Sequence, residues 1–254
     1  MYLYYRNVNL ETSATELVRL VAGFQTQLVD LEFVSNELYL CLEDDGLYVY
    51  STQFKPLNLK HFYSEFIAKR KPAIKREILI QAINLRATAD NLIYGLDTTA
   101  GLGRDAILMS LAGYRVTMLE NNPYLAVVLK YLCVEFAVPL PFLEVVYGDN
   151  LTYLHDSSKV YNLIYLDPMF NDGKQALAKK DMQLIDLFIH QMSLNHTSDH
   201  QELFELARKH CWQKLIVKRD NKQAELVSKP TPTYVKKGKT IRFDVYQCNE
   251  VSEK

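Results

Sequence analysis

Between residues 91 and 219, short apolar runs alternate with stretches of helical periodicity, and few folds accommodate that rhythm. The runs are NLIYGLD (91–97), YRVTMLE (114–120), FLEVVYGD (142–149), YNLIYLD (161–167) and KLIVKR (214–219). Residues from about 105 to 111 and from about 123 to 136 read as helices between them, with one or two more before residue 214. Strands of this kind separated by helices predict a parallel sheet covered on both faces. TYVKKGKTIRFDVYQ (233–247) breaks the rhythm, because it reads as two strands joined through Lys237-Gly238-Lys239, and a hairpin pairs antiparallel. The expected fold class is therefore α/β, a mostly parallel seven-stranded sheet closed by an antiparallel hairpin.

The first part of the chain has a different character. NELYLCLEDDGLYVYS predicts a hairpin turning at Glu43-Asp44-Asp45-Gly46, preceded by helix-compatible spacing in ETSATELVRLVAGF. Residues 1–54 carry two basic side chains against eight acidic ones, a balance of −6, whereas residues 55–76 carry +6. The expected organisation is a small N-terminal α+β unit over 1–60 and a larger domain over 61–254, which KREILIQAINL enters as a helix. A length of 254 residues suits either one large domain or one domain with an appendage.

Charge segregation limits the partners. Residues 208–242 hold eleven Lys or Arg against Asp220 and Glu225, so two basic segments flank a chain of net charge −1. Phosphate contacts supply much of nucleic-acid affinity, and these segments are its candidates. The residues singled out in them are Lys69, Arg70, Lys71, Lys75, Arg76, Lys218 and Arg219, with Lys179 and Lys180 added from the stretch between. The four cysteines form no C-x-x-C pair, and NHTSDHQE reads as a loop leading into a helix cap near Asp199, so no metal site is expected. No apolar stretch approaches the roughly 20 residues of a membrane span, and MYLYYRNVNLETSATE lacks the pattern of a leader. The expectation is a cytoplasmic chain without membrane contact. No long exposed apolar stripe argues for a dimer, so a monomer is expected.

Ligands of doubly wound sheets bind outside the carboxyl ends of the strands, where strand order reverses. The first strand closes on Asp97 and runs into TTAGLGRDA, where Gly101 and Gly103 permit a tight turn and close backbone approach before Arg104 and Asp105 open a helix. Glu120 ends the second strand, 17 residues after Gly103, where its carboxylate can accept from both hydroxyls of a ribose. Asp149, in Gly148-Asp149-Asn150 after the third strand, can accept from an adenine amino group. Together these point to an adenosine-bearing ligand and leave S-adenosylmethionine and NAD both open.

The fourth strand end adds a reaction. An exocyclic amine on a purine is a poor nucleophile because its lone pair is delocalised into the ring. Asp167 and the carbonyl of Pro168 can accept its two hydrogens, and Phe170 can stack on the base, worth roughly 1 to 3 kcal/mol. That reading is amine methylation on guanine N2, or on adenine N6. An oxidoreductase would use the glycine turn and Glu120 but has no use for DPMF. A non-catalytic RNA-binding factor would have no need of the full set of acidic strand ends.

DTTAGLGRDA, MLENNP, IYLDPMF, ALAKKDM, LIVKR and KGKTIRFDVY, in this order and spacing, resemble the RsmJ family over roughly residues 92–246. The resemblance implies a Rossmann-like class I methyltransferase using S-adenosyl-L-methionine on N2 of a guanosine in 16S (small-subunit) ribosomal RNA, within a bacterial small ribosomal subunit. It also implies cofactor contacts at Arg104, Asp105, Glu120, Asn121, Asp149, Asn150 and Asp167. Two departures stand out: FIAKRKPAIKRE lacks the glycines of the family's basic stretch, and VKRD replaces its V-K-R-P.

Overall fold

The computed structural model describes residues 1–30, 32–33, 38–88, 90–168 and 200–248. Twelve strands and seven α-helices lie within these residues, numbered below in chain order. The larger sheet contains β6 (Tyr94–Asp97), β7 (Arg115–Glu120), β8 (Leu143–Tyr147), β9 (Tyr161–Leu166), β10 (Cys211–Asp220), β11 (Tyr234–Lys237) and β12 (Ile241–Gln247), in the order β11-β12-β10-β9-β6-β7-β8. β8, β7, β6, β9 and β10 are parallel throughout. The chain moves outward from β6 to β8 and then returns to β9 on the other side of β6, which makes the β6/β9 boundary the switch point. β12 pairs antiparallel with both β10 and β11, so the expected hairpin closes the sheet with its second strand innermost.

Both faces of this sheet are covered, and the alternation along β9 shows how. Leu163 and Tyr165 join one buried cluster, while Ile164 and Leu166 join another. On the first face lie α3 (Ile78–Ile83), α4 (Arg104–Leu111) and α5 (Pro123–Glu135). On the second lie α6 (Asn150–Asp156) and α7 (His200–Lys209), contributing Leu154, Leu203, Phe204 and Ala207. α5 starts on Pro123 with Asn122 as its cap, whose Oδ1 accepts from the N–H groups of Tyr124 (2.9 Å) and Leu125 (3.2 Å).

The N-terminal region holds a second sheet of five strands. β1 (Tyr2–Tyr5), β2 (Gln25–Leu28), β3 (Tyr39–Glu43), β4 (Gly46–Tyr50) and β5 (Leu57–Asn58) are ordered β2-β1-β3-β4-β5. β3 and β4 form the expected hairpin, and β1 pairs parallel with β2 and β3, the β1-to-β2 connection carrying α1 (Glu11–Val18). Leu3, Leu40, Leu47 and Val49 of this sheet lie in one continuous core with Leu125, Val128, Leu129 and Leu132 of α5. Phe24 sets its edge against Tyr124 at 5.1 Å, and Lys60 pairs with Glu135 at 2.6 Å. α2 (Leu59–Arg70), capped by Asn58 through a 2.9 Å bond from the His61 N–H, follows β5 directly.

Candidate functional site

The strand ends at the switch point are tied to one another before any ligand is considered. The Asp167 N–H donates to Thr99 Oγ1 at 2.7 Å, and the Thr98 N–H donates to the Tyr165 carbonyl at 3.1 Å, joining the ends of β6 and β9. Asp97 is buried, and its Oδ1 accepts from the Thr99 N–H at 3.1 Å. Burial raises its pKa well above the ordinary range, with Asp105 and Asp167 adding to the effect.

The glycine turn needs both its glycines in the left-handed region, Gly101 at φ +53° and Gly103 at φ +70°. A Cβ on Gly103 would also lie 2.8 Å from Leu129 Cδ2, so the turn is seated against α5 as closely as backbone allows. At Gly101 the nearest atom to such a Cβ is the Thr99 carbonyl at 4.0 Å, which leaves that stretch of backbone open. Tyr63 of α2 supports the loop by donating to the Leu102 carbonyl at 3.0 Å.

Glu120, at the end of β7, faces this loop. Its Oε2 accepts from the Gly101 N–H at 2.9 Å and its Oε1 from the Asn122 N–H at 2.8 Å. Burial pushes its pKa up to about 7, against the lowering by the backbone N–H groups of Asn122, Gly101 and Asn121. Three backbone donors leave the ionised carboxylate one lone pair for a donor from a ligand. Asp149 caps α6, its Oδ1 accepting from the Thr152 N–H (2.9 Å) and Oγ1 (3.0 Å), so the residue expected to read an adenine amine also holds a helix. Asn150 is buried and donates from Nδ2 to the Thr98 carbonyl at 3.5 Å, while its Oδ1 has no hydrogen-bond partner among the described residues. A buried acceptor open among the described residues, an open glycine backbone and a buried carboxylate with a lone pair to spare are what a nucleoside bearing hydroxyl and amino donors requires, so the residues present fit S-adenosylmethionine.

A second group of charges lies beside the first. Lys218 Nζ donates to Asp105 Oδ2 and to Asp167 Oδ2, both at 2.8 Å, and Tyr165 OH donates to the same Asp105 oxygen at 2.7 Å. Burial raises the pKa of Asp167, Lys218 lowers it and Asp105 adds to the rise. Burial opposes the Lys218 charge, yet the two carboxylates hold its pKa above the ordinary lysine range. Pro168 is buried next to Asp167; Phe170, Lys179 and Lys180 lie outside the described residues.

Two of the residues expected to meet nucleic acid are placed elsewhere. Lys218 is turned to the carboxylates, and Arg219, 7% exposed, donates from Nε and Nη2 to the Ala224 carbonyl at 3.0 and 2.8 Å. Residues alternate across a strand, so these adjacent cations on β10 point to opposite faces and are held by different partners. Lys69, Lys71, Lys75 and Arg76 are exposed at the end of α2 and in the 3₁₀ turn that follows. Arg70 pairs with Glu77 at 2.8 Å. The Phe66 ring lies under both Arg70 (5.5 Å) and Arg104 (5.2 Å), which brings this basic segment alongside the glycine turn. Sequence reasoning missed Tyr63, Thr98, Thr99 and Tyr165. A lysine closing a buried strand was the one available signal for the Lys218 cluster, because such a charge needs a carboxylate.

A family model described as putative SAM-dependent methyltransferase matches residues 25–248, reaching well before the 92–246 stretch that carries the motif resemblance. Ribosomal RNA small subunit methyltransferase J of Francisella tularensis subsp. novicida (strain U112) is 32% identical over 227 residues, 86% of this chain and 90% of that protein. The protein of the same name from Coxiella burnetii (strain RSA 331 / Henzerling II) is 33% identical over 178 residues, 68% of this chain and 66% of its own length. Among solved structures, a SAM-dependent methyltransferase from Neisseria gonorrhoeae superposes with a TM-score of 0.69 at 18% identity, covering 100% of this chain and 98% of that one. At that identity the likeness speaks for the Rossmann-like fold.

Proposed function

The chain belongs to the ribosomal RNA small subunit methyltransferase J family of SAM-dependent methyltransferases, and from that premise we propose that it methylates the exocyclic N2 of a guanosine in 16S ribosomal RNA. The observation that carries the amine reading is the position of Asp167-Pro168. They follow β9 at the switch point, where the Asp167 N–H donates to Oγ1 of Thr99 at the opening of the glycine turn. We take the substrate to be the RNA within the small ribosomal subunit, the setting to be the cytoplasm and the acting form to be a monomer. No helix among the described residues is long and apolar enough to cross a membrane. Residues 1–60 are taken as a unit that completes the core around α5, with 61–254 as the methyltransferase domain.

In this proposal Gly101, Gly103, Arg104 and Asp105 cradle the cofactor beside Asp97. Glu120 and Asn121 hold its ribose, and Asp149 and Asn150 the adenine edge. When bound, S-adenosylmethionine supplies an electrophilic methyl on a sulfonium that is already a good leaving group. The chain's own part is positioning and electrostatics. The Asp167 carboxylate and the Pro168 carbonyl accept the two amine hydrogens, so the nitrogen lone pair is turned out of conjugation. The carboxylate then takes the proton that the methylated nitrogen releases, a task its burial-raised pKa suits. Exposed Lys69, Lys71, Lys75 and Arg76 meet phosphates of the RNA.

The test is methyl transfer from labelled S-adenosylmethionine to small subunits lacking the modification, followed by nuclease digestion and mass identification. N2-methylguanosine is expected, at a rate about 10²-fold or more lower in Asp167→Ala. N6-methyladenosine as the product, or full activity in Asp167→Ala, overturns the reading.

A further inference from the structure

Lys218 stands at the carboxyl-terminal part of β10 with its ammonium in contact with two carboxylates from different elements, Asp105 of α4 and Asp167 after β9. We propose that Lys218 is a positioning residue for methyl transfer, clamping the Asp167 carboxylate in the one orientation that receives the substrate amine. The inference rests on the assignment of Asp167 as amine acceptor and gives that acceptor a partner.

The geometry carries it. Both N···O distances are 2.8 Å, and the three side chains are only 23%, 20% and 35% exposed, so the attraction is screened far less than at an open surface. Asp105 is itself fixed, because Tyr165 OH donates to the same Oδ2 that Lys218 contacts. Asp167 is fixed at its backbone by Thr99 Oγ1. Among the described residues its carboxylate therefore has one cation to orient it, and that cation is anchored to a second, immobilised carboxylate. Among the described residues the charged and titratable groups facing this point are Asp97 from β6, Asp105 from α4, Tyr165 from β9 and Lys218 from β10. Lys218 is the cation among them, so it also offsets the repulsion among three neighbouring acids. An ionised Asp167 offers acceptors only, whereas a protonated one would present a hydroxyl donor to the amine. Removing Lys218 favours the protonated form, since burial and Asp105 both act in that direction.

The experiment compares wild type, Lys218→Met, Lys218→Gln and Lys218→Arg. Single-turnover methyl transfer to small subunits is measured at saturating cofactor from about pH 6 to about pH 9. The Asp167 carboxyl titration is followed by carbon-13 NMR and assigned with Asp167→Asn. Lys218→Met is expected to lose about tenfold more rate at the acid end than at the alkaline end, with Asp167 titrating at higher pH than in wild type. Lys218→Arg is expected to restore most of the rate, because a guanidinium can bridge the same two carboxylates. A loss equal at every pH with an unmoved titration would reduce Lys218 to a structural ion pair. A flatter salt dependence of RNA binding with an unchanged saturated rate would make it a phosphate contact; either overturns the proposal. If Lys218→Met does not fold, Lys218→Gln and Lys218→Arg give the same comparison. If wild type transfers no methyl group, the functional reading fails, and the titration still decides whether Lys218 governs Asp167.

Discussion

Glu120 gives its two carboxylate oxygens to different parts of the site, one to the glycine turn and one to the cap of α5. Burial raises its pKa from 4.5 to about 7, so the folded protein holds a proton there that the unfolded chain releases. The stability linked to this group is full below pH 4.5 and is lost as pH rises through about 7. Ribose hydroxyls donating to Glu120 favour its ionised form, so cofactor binding is expected to release a proton and to tighten as pH rises toward 7. Calorimetry in buffers of different ionisation enthalpy measures that proton. In Glu120→Gln the pH slope should vanish and affinity should fall by about 1.5 to 3 kcal/mol, the worth of a hydrogen bond to a charged group. A pH-independent affinity in wild type would place the ribose elsewhere.

At the scale of elements, the sheet is legible in the sequence and its fastenings are not. β6, β7 and β9 each fall inside an apolar run with an acidic end, because central parallel strands are buried on both faces, and the edge strand β8 falls inside a similar run although none of its residues is buried. The sequence predicts a helix over 123–136, and α5 spans Pro123–Glu135. α6 is not foreseen, since its seven residues are too short to show a period; its only sequence signal is the Asp149 cap. α2 is hidden as well, because the run LKHFYSEFIAKR buries only Leu59, Tyr63 and Ile67 and its other positions mix charges with aromatics. Tyr63 on that helix holds the glycine turn, a contact 39 residues distant that no local pattern announces. The turn itself yields a sharp test. Gly103→Ala combines a left-handed residue, costing roughly 1–2 kcal/mol, with overpacking against Leu129 costing roughly 1–3 kcal/mol. Denaturant unfolding should show about 2–5 kcal/mol less stability, with cofactor affinity falling alongside. An unchanged midpoint would mean that the loop can move away from α5.

For the whole molecule, charge segregation is visible from composition, but which cations face solvent is not. Both Lys218 and Arg219 belong to the more basic of the two segments, and both are engaged inside the protein. Reversing Lys69, Lys71 and Lys75 should weaken RNA binding and reduce its salt slope by about 0.7 to 0.9 for each phosphate left without its cation. Arg219→Ala should leave that slope unchanged and lower stability instead, by about 1.5–3 kcal/mol for the lost hydrogen bonds of the buried guanidinium. Filter binding at several salt concentrations separates the two. The N-terminal sheet is only half legible. Its β3–β4 hairpin is local, whereas β1 is a four-residue strand whose parallel partners are reached through long connections, and β2 is mostly polar and exposed.

α5 is apolar on nearly every side, with Leu125, Ala126, Val127, Val128, Leu129, Tyr131 and Leu132 all buried between the two sheets. A catalytic half cut free of residues 1–58 would carry that helix into water with one flank bare, a liability for solubility rather than for chemistry. Residues 1–58 and the helices around α5 thus pack as one block. Gene fusions that exchange what precedes the core would have to supply another apolar cover for α5 before they could supply a new specificity.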